Sequence, residues 1–347
     1  MRVFVTGAGG FLGQAVVRAA QDAGHEVTAL RRPTSSAAAP PGIRLVVGDL
    51  RQPGTWADAL DGVDAVIHCA AAAGDLATQL AGTVLATENL LAALPPSVRR
   101  IVHVSSFSVY DFDAAGRTGR LDESTPIEQQ PLRRDPYTLT KIIQERLVVE
   151  HALRQNLDLV VVRPGAIYGP GKDWDLGRAM QVGRFDLIFA PFSPMRLIHV
   201  DNCADAIVAA LSAAVEAPLV VNLVDSEQPS HWRYHRQARR SGIPVGIAIP
   251  VPYVMVGALG AAARLASRLF FANRAKLPEM LDPPRQRVRW RSLRYANDRA
   301  REKLNWRQRL SLAQGIDTLV QSGIATEKQA LAPAKDGVIP KTLQPHV

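Results

Sequence analysis

The sequence predicts a doubly wound α/β fold, a parallel sheet with helices on both faces, and three features carry that reading. The chain opens on a short apolar strand, Val3-Phe4-Val5-Thr6, that runs straight into glycines at positions 7, 10 and 13 and then into a helical run over residues 14–23. Apolar stretches recur at residues 27–30, 44–47, 64–71 and 100–104, separated by helical or loop segments, which is the alternation of βαβ units. A sixth stretch closes in Arg163-Pro164-Gly165-Ala166-Ile167-Tyr168-Gly169. A strand feeding a glycine turn and a helix presents backbone N–H groups and the positive end of a helix dipole to a pyrophosphate, so a dinucleotide is the expected ligand. The G-x-x-G-x-x-G spacing differs by one residue in the turn from the G-x-G-x-x-G of most dinucleotide-binding units.

The second strand, residues 27–30, ends at Arg31-Arg32-Pro33. NAD-binding units place an acid about here to accept from the ribose 2′-hydroxyl, whereas an arginine accommodates a 2′-phosphate. No acid is available, so Arg31 and Arg32 favour NADP, with NAD as the alternative. Residues 34–41, rich in Ser, Ala and Pro, read as a loop. The third strand, residues 44–47, ends in Gly48-Asp49-Leu50, where by itself Asp49 can begin a turn before a helix near residues 55–60. Residues 64–71 form a buried strand closing on Ala70 and Ala71, small enough for a cofactor to lie across the strand end. His68, inside that apolar strand, reads as a core histidine rather than a catalytic one. A helix over residues 76–94 carries Thr87-Glu88-Asn89-Leu90-Leu91, and the strand at 100–104 ends in Ser105-Ser106. Tyr137 and Lys141 open a later helix with phenol and ammonium one turn apart on the same face.

Composition bounds the remaining options. The chain has 347 residues, 47% apolar and 21% charged, enough for one large or two modest domains. Met1 stands one residue before the first strand, so no signal peptide is expected. Cys69 and Cys203 lack any metal-ligand spacing, so no metal is expected and a reducing, cytoplasmic setting is. The formal charge of +9 invites anionic partners, and arginines crowd between Arg285 and Arg309. No nucleic-acid motif accompanies them, so a solvated face or a site for substrate phosphate is expected rather than nucleic acid.

The ordered set of glycine turn, Ser-Ser strand end, Tyr137-x-x-x-Lys141 and Arg163-Pro164-Gly165 resembles the extended branch of the short-chain dehydrogenase/reductase superfamily, the NAD-dependent epimerase/dehydratase family, over most of residues 1–210. Arg196-Leu197-Ile198-His199-Val200-Asp201-Asn202-Cys203-Ala204-Asp205-Ala206 is similar to a segment found widely in that branch, including its hydroxysteroid-dehydrogenase-like members. The resemblance implies a Rossmann domain over residues 1–165, with strands near 197–206 and 219–223 returning to it, and a smaller substrate-binding region over 166–320. It implies cofactor contacts from Gly7, Gly10, Phe11, Leu12, Gly13, Asp49, Leu50, Ala70, Ala71, Tyr137, Lys141, Pro164 and Ile167. It implies catalysis by Ser106, Tyr137 and Lys141, with Ser105 and Ser108 as fallback candidates for the serine. A homodimer is compatible with it. The chain also departs from the family's pattern. Thr83 and Ala86 replace an Asn and a Gly, Met195 stands where nucleotide-sugar epimerases usually carry an Arg, and Leu304-Asn305-Trp306 has Asn for Gly.

These residue types suit hydride chemistry. Oxidising an alcohol removes a hydroxyl proton as hydride leaves carbon, and the reverse reaction returns it. A phenol with a pKa near 10 needs a neighbouring cation to serve as base, which is the expected role of Lys141 toward Tyr137. By resemblance Lys141 also holds the nicotinamide ribose and Ser106 hydrogen-bonds the reacting oxygen. A net oxidoreductase acting on a hydrophobic or sugar-like alcohol ranks first, a nucleotide-sugar epimerase or dehydratase second, and a catalytically silent cofactor-binding regulator third. Residues 241–263 carry no charge, but Pro244, Pro250 and Pro252 interrupt them, so a helix of the substrate region is expected ahead of a membrane-surface helix. Residues 326–347 show no periodicity and are expected to lack fixed structure.

Overall fold

The computed structural model describes residues 1–35, 40–54, 56–172, 180–271 and 288–322. The tail over 326–347 lies outside them, as does the start of the arginine cluster. Seven strands form the main sheet: β1 (Arg2–Thr6), β2 (Glu26–Arg31), β3 (Arg44–Val47), β4 (Ala65–His68), β5 (Arg100–Val104), β6 (Asp158–Pro164) and β7 (Leu219–Leu223). Their order is β7-β6-β5-β4-β1-β2-β3, and every pairing is parallel. The chain therefore winds outward from β1 through β2 to β3, then returns to the other side of β1, where Val3 pairs with Ala65. That reversal opens a crevice at the carboxyl ends of β1 and β4, the place where doubly wound sheets bind ligands. The inner strands are buried along nearly their whole length, as helices on both faces require.

The helix α1 (Phe11–Asp22) turns Ala15, Val16 and Ala20 inward and packs against the helix Val200–Ala209. Residues 197–206, expected to return as a strand, do so differently. Only Leu197–His199 is a strand, paired with Ala166–Tyr168 outside the main sheet, and His199 then caps the first turn of the helix by accepting from the Asp201 amide. The expected helix over 76–94 is one continuous run, Leu76–Gln79, a π-helical stretch Leu80–Leu85, and Ala86–Ala92. A wide turn of this kind often marks a functional site. Near the C-terminus, Leu304 and Trp306 join the core beneath α1. Between them Asn305 adopts φ +50°, and this explains how Asn replaces Gly there: its short polar side chain tolerates the left-handed region better than other non-glycine residues.

A three-stranded sheet of Met180–Val182, Phe185–Phe189 and Ile247–Val251 stands apart from the main one, followed by the helix Tyr253–Phe271. The uncharged run thus becomes a strand and the first part of a helix. No helix among the described residues is long and apolar enough to cross a membrane.

Candidate active site

A groove of about 170 Å³ at the β1/β4 crevice is lined by Gly7, Gly10, Arg32, Asp49, Leu50, Ala70 and Ala71, together with Gly9, Ser35, Arg51, Gly82 and Ala86 among others. Its floor is the glycine turn. Gly7 has φ +69°, and a Cβ there would meet the Ala70 amide at 2.8 Å; a Cβ on Gly13 would meet the Gly7 carbonyl at 2.1 Å. The turn can therefore close only with glycine at both positions. α1 begins at Gly10 with no side-chain cap and no acid in its first turn, so the amides of Phe11, Leu12 and Gly13 face the groove end without a competing carboxylate. A cradle bounded by two obligate glycines and an uncapped helix start fits the pyrophosphate of a dinucleotide.

The groove walls are fixed by specific bonds. The Asn89 amide donates to the Leu50 carbonyl at 2.8 Å, which ties the end of β3 to the π-containing helix. Thr83, standing in place of Asn, accepts from the Ala72 amide at 2.9 Å, and the Gln79 amide donates to the Gly74 carbonyl at 2.8 Å. Both side chains hold the loop after β4. Asp49 accepts from the Arg51 amide and guanidinium, and those bonds hold its carboxyl below the usual range, with Arg32 contributing. Arg31 does not line the groove; its side chain packs with Ser35 beside Gly9. Pro164 and Ile167 do not line it either. Pro164 ends β6, and Ile167 sits in the short strand beside Ile198.

Ser106 follows the end of β5, and Tyr137 and Lys141 stand one turn apart at the start of the Pro136–Gln155 helix, which Asp135 caps through the Thr138 amide at 2.7 Å. Tyr137 is 39% exposed. Burial of its hydroxyl raises the phenol above its ordinary pKa, while a hydrogen bond with the Ser106 side chain works in the opposite direction. The Ser105 hydroxyl is committed elsewhere, to Glu145 Oε2 at 2.5 Å, and Ser108 Oγ is buried without a hydrogen-bond partner. Lys141 is 3% exposed. Its ammonium donates to the Val104 carbonyl at 2.6 Å and to Gln144 Oε1 at 2.5 Å instead of to the phenol, because a buried ammonium turns to the strongest acceptors within reach. Burial lowers its pKa to about 8, with Glu145 and Cys69 opposing.

His68 is, as expected, a core residue, but it makes more than one hydrogen bond. Nδ1 meets Thr6 Oγ1 at 2.7 Å and Nε2 meets Thr87 Oγ1 at 2.9 Å; burial, then the Lys141 charge, lower its pKa to about 3, so the ring is neutral. Reading the sequence missed Gln144, Glu145 and Arg51. The first two stand three and four residues after Lys141, on its helical face, and that spacing was the available signal. Arg51 carried none beyond proximity to Asp49.

A parallel doubly wound sheet with a glycine-turn groove, and a Tyr and a Lys one turn apart on a helix after the Ser-Ser end of β5, has the architecture of an extended short-chain dehydrogenase/reductase. The sequence model of the NAD dependent epimerase/dehydratase family matches residues 3–223, and the chain belongs to that family, whose members include NAD(P)-dependent oxidoreductases and epimerases. The chain is 30% identical over 340 residues, 94% of its length and 97% of the relative's, to a 4-hydroxy-2-methyl-3-oxo-4-farnesyl-3,4-dihydroquinoline-1-oxide ketoreductase of Stigmatella aurantiaca. It is 32% identical over 214 residues to a 2-alkyl-3-oxoalkanoate reductase of Stenotrophomonas maltophilia, spanning 59% of this chain and 63% of that one. Among solved structures, UDP-glucuronic acid 4-epimerase from Bacillus cereus in complex with NAD superposes with a TM-score of 0.70 at 18% identity, covering 96% of this chain and all of that one, a likeness of fold.

Proposed function

We propose that the protein is an NADP-preferring oxidoreductase that interconverts a secondary alcohol and a ketone on an apolar small molecule. The observation that supports this is the placement of Tyr137, on whose phenol Ser106 acts, one helical turn before a buried Lys141 that is tied, through Gln144, to the groove-lining Ala70. Ser106 and Tyr137 bind the reacting oxygen, and Tyr137 moves its proton. Gly7, Gly10, Gly13 and the start of α1 would hold the cofactor's pyrophosphate, and the cofactor supplies or accepts the hydride. A cytoplasmic setting suits the reading.

Substrate class rests on two residues. Met195 is buried with Tyr168, Leu197 and Tyr234 in an apolar cluster, so that position offers no cation to a substrate diphosphate. Arg196 donates to the Val288 carbonyl at 2.7 Å and lies over the Phe112 ring, which Arg134 also faces. The ketoreductase and reductase relatives favour net reduction over epimerisation. In a screen with NADPH and NADH present, long-chain keto esters and cyclic ketones should be reduced, and UDP- and GDP-sugars should neither bind nor turn over. Epimerisation of a nucleotide sugar would reverse the ranking. Tight cofactor binding with no turnover on any carbonyl compound would favour a silent regulator.

Cofactor preference follows from Arg32. β2 ends without an acid, Arg32 lines the groove, and the nearby Asp49 carboxylate is already neutralised by Arg51. A hydrogen bond to a charged group is worth roughly 1.5–3 kcal/mol, so NADP should bind about ten- to a hundredfold more tightly than NAD. Arg32→Asp should reverse the preference, with Arg31→Asp the weaker of the two. Equal dissociation constants in the unaltered protein at moderate ionic strength would remove the argument.

A further inference from the structure

Gln144 lies on the Lys141 face of the Pro136–Gln155 helix and is wholly buried. Its Oε1 accepts from Lys141 Nζ at 2.5 Å, while Nε2 donates to the Ala70 carbonyl at 3.0 Å and to Thr87 Oγ1 at 2.9 Å, with His68 Nε2 at 3.1 Å. The neighbours dictate that orientation. An ammonium only donates and a carbonyl only accepts, so the amide oxygen must face Lys141 and its nitrogen must face Ala70.

An ammonium has three protons to place. One goes to the Val104 carbonyl at 2.6 Å and one to Gln144. Tetrahedral geometry at nitrogen then fixes the line of the third. Val104 belongs to the rigid end of β5 and cannot adjust, which leaves Gln144 to decide that direction. The same amide grips Ala70, a wall of the cofactor groove. We propose that Gln144 is a positioning residue: it aims the free proton of the Lys141 ammonium and locks that aim to the Ala70 turn against which the cofactor lies. This rests on the proposed role of Lys141 in holding the cofactor ribose.

The arrangement makes Gln144 a determinant of the lysine's charge. The groups around the ammonium are Glu145 on its own helix, Cys69 after β4, and His68 and His103 on β4 and β5, both kept neutral by burial. Of these only Glu145 supplies formal negative charge, and it is engaged by Arg163 and Ser105. An acceptor lost or gained at position 144 therefore has little to offset it.

The test is a fluorescence titration of the full-length protein with NADPH across the neutral to alkaline range, with kcat/KM measured in parallel. Affinity in the unaltered protein should fall as pH rises through about 8, where the ammonium loses its proton. Gln144→Met fills the space without an acceptor and should move that midpoint to lower pH by about one unit, the scale of one charge-assisted hydrogen bond lost in a buried site. Gln144→Glu keeps an acceptor toward Lys141, adds charge and loses the donor toward Ala70. It should move the midpoint to higher pH, yet bind NADPH several-fold more weakly below it.

Variants that melt at lower temperature but keep the original midpoint would show a packing role only and overturn the proposal. So would an affinity that is flat with pH in the unaltered protein. If Gln144→Met does not fold, the sign of the shift in Gln144→Glu decides alone, and a shift downward or none overturns it. Midpoints that move as expected without hydride transfer to any carbonyl compound would sink the proposed reaction and leave this placement standing. Turnover with unmoved midpoints would do the reverse.

Discussion

Tyr137→Phe should lower turnover by on the order of 10²-fold or more while leaving cofactor affinity nearly unchanged. Burial raises the phenol above its ordinary pKa and so keeps it protonated, with the Ser106 side chain, just after the end of β5, acting in the opposite direction. In the proposed reaction the phenol would give its proton to the carbonyl oxygen as hydride reaches the carbon, and in the reverse direction the phenolate would take the alcohol proton as hydride leaves. Phe keeps the ring and its packing but has no proton to move, so the loss falls on the transition state, at least about 2.7 kcal/mol for a hundredfold. Affinity should survive because the groove's walls come from the glycine turn, Arg32, Leu50 and Ala70, none of which depends on the phenol. Ser106→Ala should raise KM as well as lower kcat, since in this reading its hydroxyl bonds to the substrate oxygen and also acts on the phenol. Turnover in Tyr137→Phe within a few-fold of the unaltered protein would remove Tyr137 from the mechanism.

The parts of this arrangement that follow local rules were legible in the sequence. Strand, glycine turn and helix at residues 3–22 are set by backbone sterics, since Gly7 and Gly13 admit no side chain, and that constraint is visible as residue type. Parallel strands buried on both faces read as continuous apolar runs, which is why β1 and β4 through β6 could be found without knowing their order. The segment at 197–206 was harder, because Leu197-Ile198-His199-Val200 is apolar enough for a sheet strand. What ends it is the cap at His199, a tertiary feature that also depends on Asp225 accepting from the His199 amide 26 residues away. The site divides in the same way. Tyr137 and Lys141 announce themselves by spacing, but the direction of the lysine does not: it is decided by Val104 and by Gln144, whose value comes from the Ala70 carbonyl 74 residues earlier. A buried ammonium's partner is chosen by three-dimensional reach, and nothing in the order of residues encodes it. Arg31 and Arg32 show the limit most directly. They are adjacent and chemically identical, and only the fold turns one into the groove and the other against Gly9.

Glu145→Ala should destabilise the protein by about 3–5 kcal/mol, the usual cost of removing one partner of a buried ion pair. Glu145 accepts from the Arg163 guanidinium through both its oxygens and from the Ser105 hydroxyl, and the two charged side chains are 12% and 6% exposed. Burial alone would push the arginine's pKa down, but the hydrogen bond and charge of Glu145, with Tyr110 adding to them, hold it above its ordinary value. Among the described residues no other carboxylate pairs with Arg163; its guanidinium lies 4.7 Å over the Tyr110 ring, whose hydroxyl is already bonded to Asn222 at 2.7 Å. Removing the carboxylate therefore strands a permanent charge in the seam between β6 and the helix that carries Tyr137 and Lys141. Against a typical total stability of about 5–15 kcal/mol, that is a large fraction. The double variant Glu145→Leu with Arg163→Met removes both charges and restores apolar volume, so it should recover most of the loss in urea unfolding. It should not restore turnover in full, because Glu145 also raises the Lys141 pKa, and without it the ammonium is lost at lower pH. The pair would be shown to contribute little if Glu145→Ala unfolded at the same urea concentration as the unaltered protein. Recovery of full activity along with stability in the double variant would confine Glu145 to a structural role.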